Sequence, residues 1–168
     1  LGNTYSEEEL RDFDERITRV VGSNFRDVCE FKFDGVAIGL TYRNGKLLRA
    51  VTRGDGVRGD DVTNNVRTIR SIPLCLMGNN FPDEFEIRGE IILDKKTFER
   101  INNERADIGE TPFAKPRNSA AGTLKLQDSS EVARRKLDCF LYALYGDFDF
   151  STHYDGLKMA AEWGFKIS

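Results

Sequence analysis

Histidine and cysteine are scarce in this chain, and their scarcity limits its chemistry. The 168 residues include one histidine, His153, and three widely separated cysteines, Cys29, Cys75 and Cys139. Chemistry that requires a pair or a triad of histidines is therefore disfavoured. The cysteine spacing fits neither a zinc site nor a disulfide framework. We expect three buried free thiols in a reducing compartment, with His153 as a surface or helix-capping residue.

The sequence also lacks long apolar runs and an excess of positive charge. No segment approaches the ~20 apolar residues of a membrane-spanning helix, and the start does not resemble a signal peptide. The 25 basic and 28 acidic residues give a formal net charge of −3, which is not the footprint of a self-sufficient nucleic-acid-binding domain. We expect a cytoplasmic protein that makes no membrane contact. If DNA is its substrate, other parts of the protein must supply much of the phosphate contact.

Periodicity and turn signals predict an α+β fold with mostly antiparallel sheet. The apolar fraction of 39% is ordinary for a globular domain. The dipeptide Asn44-Gly45 between two apolar runs is a strong hairpin signal, and strands joined by tight turns pair antiparallel. The remaining signals predict helices after Ser6, Asp94 and Asp128, a short helix within 60–70, strands at 84–93 and 137–145, and a helix at 152–163.

The run from Asp27 to Phe33 is predicted to be a strand that carries a lysine. Alternation would place Cys29, Phe31 and Phe33 on a core face and Glu30, Lys32 and Asp34 on the opposite face. A lysine held on a rigid strand can serve as a nucleophile. The alternative is a solvated strand face with ordinary charges.

A second motif, Gly54 to Gly59, matches the G-x-G-x-x-G pattern of dinucleotide-binding folds. Its preceding strand is the second arm of a hairpin, whereas that pattern belongs to the first strand of a βαβ unit. The acidic residue expected about 20 residues further on is also missing. We therefore reject this interpretation.

Five sequence blocks together resemble the adenylation domain of bacterial NAD-dependent DNA ligases. The first contains Lys32-Phe33-Asp34-Gly35, which is similar to the K-x-D-G motif of the lysine that accepts a nucleotidyl group. The remaining blocks follow in the family's order and spacing, and they are TRGDG at 52–56, GDDVT at 59–63 leading into NVRTIRSIP at 65–73, EIRGE at 86–90 and FAKPRNSAAG at 113–122.

The resemblance implies a nucleotidyltransferase fold, truncated at both ends, with residues 1–168 forming part of one adenylation domain. It also implies a three-step reaction. A lysine attacks the α-phosphate of NAD and keeps AMP while nicotinamide mononucleotide leaves. The AMP passes to the 5′-phosphate of a DNA nick, and the 3′-hydroxyl seals the strand. The enzyme would act in bacterial DNA replication and repair.

The resemblance assigns Lys32 as the catalytic nucleophile and implies further nucleotide-binding positions, which are Leu1, Glu30, Asp34, Gly35, Arg53, Glu90 and Arg117. Glu30 matches an adenine-pocket residue, and Arg53 and Glu90 match residues that hold the adenylate. Because Glu30 and Asp34 favour the protonated amine, nearby cations must offset them.

Two of these assignments have a weaker basis. Leu1 matches the second member of a Ser-Leu pair, and the serine is absent. Arg117 matches an arginine on the phosphate or DNA side, but Lys125 stands where the family often has a second arginine. Lysine keeps the charge and loses the planar fork, so the role of Lys125 stays open.

The family also implies partners that this chain does not supply. We expect NAD as AMP donor, Mg²⁺ or Mn²⁺, nicked duplex DNA bound by the full-length enzyme, a structural zinc only in a missing domain, and a monomer. The isolated fragment should be almost inactive. The alternatives are an ATP-dependent nucleotidyltransferase and a non-catalytic nucleotide-binding module.

Overall fold

A computed structural model describes residues 2–54, 56 and 58–168. Leu1 lies outside the described residues. Within them the elements follow in the order α1 (Glu7–Val21), β1 (Val36–Arg43), β2 (Lys46–Thr52), α2 (Thr63–Val66), β3 (Glu84–Ile92), α3 (Lys95–Asp107), α4 (Pro116–Leu124), α5 (Ser129–Arg134), β4 (Asp138–Tyr145) and α6 (His153–Glu162).

The four strands form one antiparallel sheet in the order β2-β1-β3-β4. The β1–β2 hairpin turns at Asn44 and Gly45, whose φ angles of 50° and 69° are the positive values that a tight two-residue hairpin requires. The antiparallel order confirms the α+β prediction. The strand before the Gly54–Gly59 motif is β2, the second strand of an antiparallel hairpin, whereas a dinucleotide-binding G-x-G-x-x-G motif follows the first strand of a βαβ unit.

One face of the sheet carries the core. Alternate residues of β1 and β3, such as Leu40, Tyr42 and Ile87, are buried. Helices α2, α4 and α6 pack against the strands and add buried residues such as Val66, Leu124 and Ala160 to the same cluster. The opposite face remains partly open, and this face carries the polar side chains of β3.

Several predicted helix starts are confirmed by their capping bonds. The hydroxyl of Ser6 accepts from the Glu9 amide at 3.2 Å, and the Asp94 carboxylate accepts from the Thr97 amide at 2.9 Å. Asp128 caps α5 in the same way. Such caps satisfy amides that the first helical turn leaves without partners.

Helix α1 begins after Ser6 as predicted, yet it buries no residue. Leu10, Phe13 and Val20 on this helix are 57%, 40% and 82% exposed. Among the described residues, no helix has both the length and the apolar character needed to cross a membrane.

The predicted strand at 27–33 is wrong. Residues 24–34 have no regular secondary structure and no strand pairing. The amide of Phe31 donates to the hydroxyl of Ser168 at 3.1 Å, and Phe31 is 80% exposed. Phe33 instead stacks on Phe140 of β4, with ring centroids 4.2 Å apart. The segment is therefore held by side-chain contacts and not by strand pairing.

The prediction of three buried thiols is also wrong for two of them. Cys29 and Cys75 are exposed, and only Cys139 is buried. Cys29 lies in the irregular segment 24–34, so the core face predicted from strand alternation does not exist. Burial raises the pKa of the Cys139 thiol, which keeps that side chain protonated and inert.

Candidate functional site

A cavity of about 400 Å³ lies at the end of the sheet where β1 begins and β2 ends. Its walls come from the start of β1, the loop after β2, the polar face of β3, and α4. The lining residues are Gly35, Val36, Ala37, Thr52, Arg53, Gly54, Asp60, Glu90, Arg117, Asn118, Ala121 and Lys125. Four of the predicted site residues therefore meet here, namely Gly35, Arg53, Glu90 and Arg117.

Glu90 links β3 to the lysine segment. Strand pairing sets Glu90 opposite Ala37, and its Oε1 accepts a hydrogen bond from the Gly35 amide at 3.1 Å. Partial burial raises the pKa of the Glu90 carboxyl, while the Gly35 hydrogen bond and the positive charges of Lys32 and Arg53 oppose this change. The Lys32 amine thus lies within electrostatic range of a carboxylate in the cavity wall.

Gly35 is required by a close approach between β1 and β3. A Cβ at this position would lie 2.9 Å from Cγ2 of Ile92 and 3.0 Å from the carbonyl carbon of Ile91, and it would overlap the Ile91 oxygen. The absence of a side chain lets the backbone after Asp34 pass against β3. This contact brings the Gly35 amide to Glu90.

Arg117 stands in the first turn of α4, which begins with Pro116. Its Nη1 donates to Oδ1 of Asp34 at 3.3 Å, and both side chains are about half or more exposed. Because Asp34 follows Lys32 by two residues, this ion pair ties the lysine segment to α4.

Glu30 lies apart from this cavity. Its Oε1 is 3.5 Å from Nε2 of His153 at the start of α6. His153 lines a separate groove of about 840 Å³ together with residues 24–29. The sequence interpretation placed Glu30 on a strand face, but no strand forms at this position, and Glu30 does not line the cavity that contains Glu90. His153 is the first residue of α6 and is about half exposed, and the helix cap is Thr152, whose side chain accepts from the Asp155 amide.

Two charged lining residues were not assigned from sequence. The Lys125 Nζ lies 2.8 Å from Oδ2 of Asp60. Asp60 belongs to the GDDVT block, and Lys125 follows α4, so a contact between them could not be read from local pattern. The only sequence signal was the exchange of a family arginine for Lys125.

The family model for the NAD-dependent DNA ligase adenylation domain matches residues 1–168. Curated relatives named DNA ligase include those of Cytophaga hutchinsonii at 59% identity, Bacteroides fragilis at 57% and Flavobacterium psychrophilum at 53%. These matches cover 99–100% of this chain and 25% of each relative, so the chain spans about a quarter of their length. This chain belongs to the NAD-dependent DNA ligase adenylation-domain family.

Proposed function

We propose that this chain carries the lysine nucleophile and the nucleotide-binding cavity of an NAD-dependent DNA ligase, within a nucleotidyltransferase fold. One observation carries the proposal. Gly35, the last residue of the Lys32–Gly35 motif, lines a cavity together with Arg53, Arg117 and Glu90, and the positive charge of Lys32 acts on the Glu90 carboxyl. Two cations beside a carboxylate suit a ligand with a negative phosphate and a hydrogen-bonding sugar or base.

The reaction begins when the unprotonated Lys32 amine attacks the α-phosphorus of NAD. A phosphorus–nitrogen bond forms, the bond from the α-phosphorus to the nicotinamide mononucleotide oxygen breaks, and the amine nitrogen loses one of its two protons to solvent. AMP then moves to the 5′-phosphate at a DNA nick, and the 3′-hydroxyl displaces AMP to close the strand. Transfers of this kind depend on in-line positioning and on neutralising the phosphate charge.

The cavity residues can meet both requirements. Arg53 and Arg117 supply positive charge for the phosphate. Glu90 accepts a hydrogen bond from the Gly35 amide. This bond fixes the backbone three residues after Lys32 and so limits where the Lys32 amine can reach. We assign Glu30 and Leu1 to the adenosine side of the ligand, as the family resemblance implies.

The divalent metal ion of the reaction would bind together with the nucleotide phosphates and not at a site formed by the protein alone. The described ranges contain no group of three or more His, Cys, Asp or Glu side chains that could hold a metal ion. Mg²⁺ often binds through substrate phosphates with only one or two carboxylates and several waters. Asp34 and Glu90 are the carboxylates near Lys32, and a bound Mg²⁺ or Mn²⁺ would neutralise phosphate charge there.

We assign the longer protein to DNA replication and repair in the cytoplasm, where it would act as a monomer on nicked duplex DNA. The relatives are four times as long as their match to this chain, so DNA contact falls largely to other parts of the protein. An ATP-dependent enzyme remains the second candidate, and the two differ in which nucleotide adenylates Lys32.

Replacement of Lys32 by arginine tests the proposal. Arginine keeps the charge but cannot be deprotonated in a protein, so Lys32→Arg in the full-length protein should gain no AMP from NAD. Intact-mass measurement after incubation with NAD or ATP detects the adduct and identifies the donor. The matched control is Lys95→Arg, an exposed lysine at the start of α3 that lies outside the cavity.

Sealing of a nick that already carries AMP should survive in part in the Lys32→Arg variant, because that step does not use the nucleophile. If this variant still gains AMP from NAD, the assignment of Lys32 fails. Adduct formation from ATP and not from NAD would favour the second candidate.

A further inference from the structure

Lys125 is held from two directions by one short stretch of chain, residues 60–65. Its ammonium contacts the Asp60 carboxylate at 2.8 Å. The side-chain amide of Asn65 donates to the carbonyls of Leu124 at 2.8 Å and Leu126 at 2.7 Å, the residues on either side of Lys125. Backbone and side chain of this one lysine are therefore fixed by separate contacts.

The Asn65 contact is a buried one. Asn65 is only 8% exposed, and its amide satisfies carbonyls at the carboxyl end of α4, where the helix leaves them without intrahelical partners. The Lys125 amide also donates to the Gly122 carbonyl at 3.3 Å. These bonds fix the direction in which the chain leaves α4 and hence the point from which the Lys125 side chain projects.

Asp60 is itself fixed by Thr52 at the end of β2. The Asp60 amide donates to the Thr52 hydroxyl at 3.0 Å, and the Thr52 amide donates to the Asp60 carbonyl at 3.0 Å. Thr52 is 8% exposed. The carboxylate that faces Lys125 thus starts from backbone anchored to the sheet.

An ordinary surface ion pair does not have these supports. The side chains of Lys125 and Asp60 are 61% and 56% exposed, and such pairs are worth little by themselves, typically ~0.2–1 kcal/mol. A free lysine loses much side-chain entropy when it is held in one place. Contacts that already hold the lysine side chain before a ligand binds reduce the entropy lost on binding. Both members of this pair line the cavity that also contains Arg53 and Arg117.

We propose that Asp60 and Asn65 are positioning residues that hold Lys125 in place as a phosphate-binding cation of this cavity. This inference rests on the proposed function and extends it. Lys125 contacts the phosphate group of the nucleotide. Asp60 sets the position of the ammonium, and Asn65 sets the backbone from which it extends.

The test is AMP binding to the full-length protein, measured by calorimetry and compared with adenosine, which lacks the phosphate. Asp60→Asn should weaken AMP binding about 1.4- to 5-fold, the range that corresponds to ~0.2–1 kcal/mol for an exposed ion pair, and should leave adenosine binding unchanged. In a Lys125→Met background the same Asp60 substitution should have no further effect. Lys125→Arg, which retains the charge, should bind AMP and remain sensitive to Asp60→Asn.

Asn65→Ala should also weaken AMP binding without additional loss in the Lys125→Met background. Because that variant leaves buried carbonyls unsatisfied, its folding must be checked, and Asp60→Asn tests the inference if it fails to fold. Glu84→Gln is the matched control, since Glu84 forms a similarly exposed pair with Arg43 at 2.7 Å and does not line the cavity.

Equal losses for AMP and adenosine, or equal effects of Asp60→Asn with and without Lys125, would overturn the inference. The inference would also be overturned if the Asp60→Asn variant bound AMP as tightly as the Glu84→Gln control. Failure of the proposed function appears separately, as the absence of an AMP adduct on Lys32, because these affinities need no chemical step.

Discussion

Gly35→Ala is expected to destabilise the chain and to move the lysine segment at the same time. The added methyl would overlap the Ile91 oxygen and lie 2.9 Å from Cγ2 of Ile92. Overpacking of this kind costs about 1–3 kcal/mol. Relief requires the segment to retreat from β3, which stretches the 3.1 Å bond from the Gly35 amide to Glu90.

The total loss is worked from these two contributions. A hydrogen bond to a charged group is worth about 1.5–3 kcal/mol, and the partial burial of Glu90 places this one near the lower value. We therefore expect a loss of about 2.5–4.5 kcal/mol in the free energy of unfolding. At about 2–4 °C per kcal/mol for a chain of this size, the melting temperature should fall by roughly 5–18 °C.

The assay is thermal and urea unfolding of the 168-residue chain, followed by circular dichroism. Gly39→Ala is the matched control, because Gly39 lies in β1 only four residues further on and its added methyl would make ordinary contacts, at 3.4 Å with the flexible Glu86 side chain and at 3.9 Å with the Val51 carbonyl oxygen. That variant should melt within about 2 °C of the unmodified chain. Equal melting temperatures for the two variants would refute the close-approach account of Gly35. In the full-length protein, Gly35→Ala should also slow AMP transfer.

Three further outcomes are expected. Glu90→Gln should be at least as stable as the unmodified chain at pH 7. Burial raises the Glu90 pKa, so the stability of the unmodified chain falls as pH rises through that pKa. Unfolding of both proteins at pH 4 and pH 7 checks this pH dependence, and a Gln variant less stable than the unmodified chain at pH 7 would contradict it. In the full-length protein, Glu90→Gln should abolish AMP transfer. The 168-residue chain, incubated with NAD and magnesium, should gain little AMP by intact mass, because the longer protein must orient the leaving nicotinamide mononucleotide for in-line attack. Rapid stoichiometric gain would show that the rest of the protein is dispensable. A maleimide should label Cys29 and Cys75 in the folded chain, and Cys139 only in denaturant; labelling of all three without denaturant would disagree with the burial of Cys139.

Local chemistry predicted much of the fold. The strand β3 was predictable because its side chains alternate between buried and polar positions. The hairpin turn was predictable because Asn44 and Gly45 tolerate positive φ. The helix starts at Ser6 and Asp94 were predictable because a cap acts within three residues. Each of these features depends on neighbours in sequence, so no knowledge of distant contacts was needed.

The lysine segment shows where this kind of reasoning fails. Its alternating pattern predicted a strand, but a strand exists only where another strand offers hydrogen-bonding partners. Here Phe31 bonds to the Ser168 side chain, and Phe33 stacks on Phe140. Alternation therefore also misplaced Cys29, which is exposed.

The sequence by itself determined the family, the antiparallel α+β class and the lysine motif, because these depend on residue types at fixed spacing. Only the tertiary structure decided which charges share the cavity. It joined Arg117 to Asp34 across 83 positions and Lys125 to Asp60 across 65, and it set Glu30 beside His153 instead. Contacts between residues so far apart in sequence follow from how α4 and the loops pack on the sheet, and no local pattern encodes that packing.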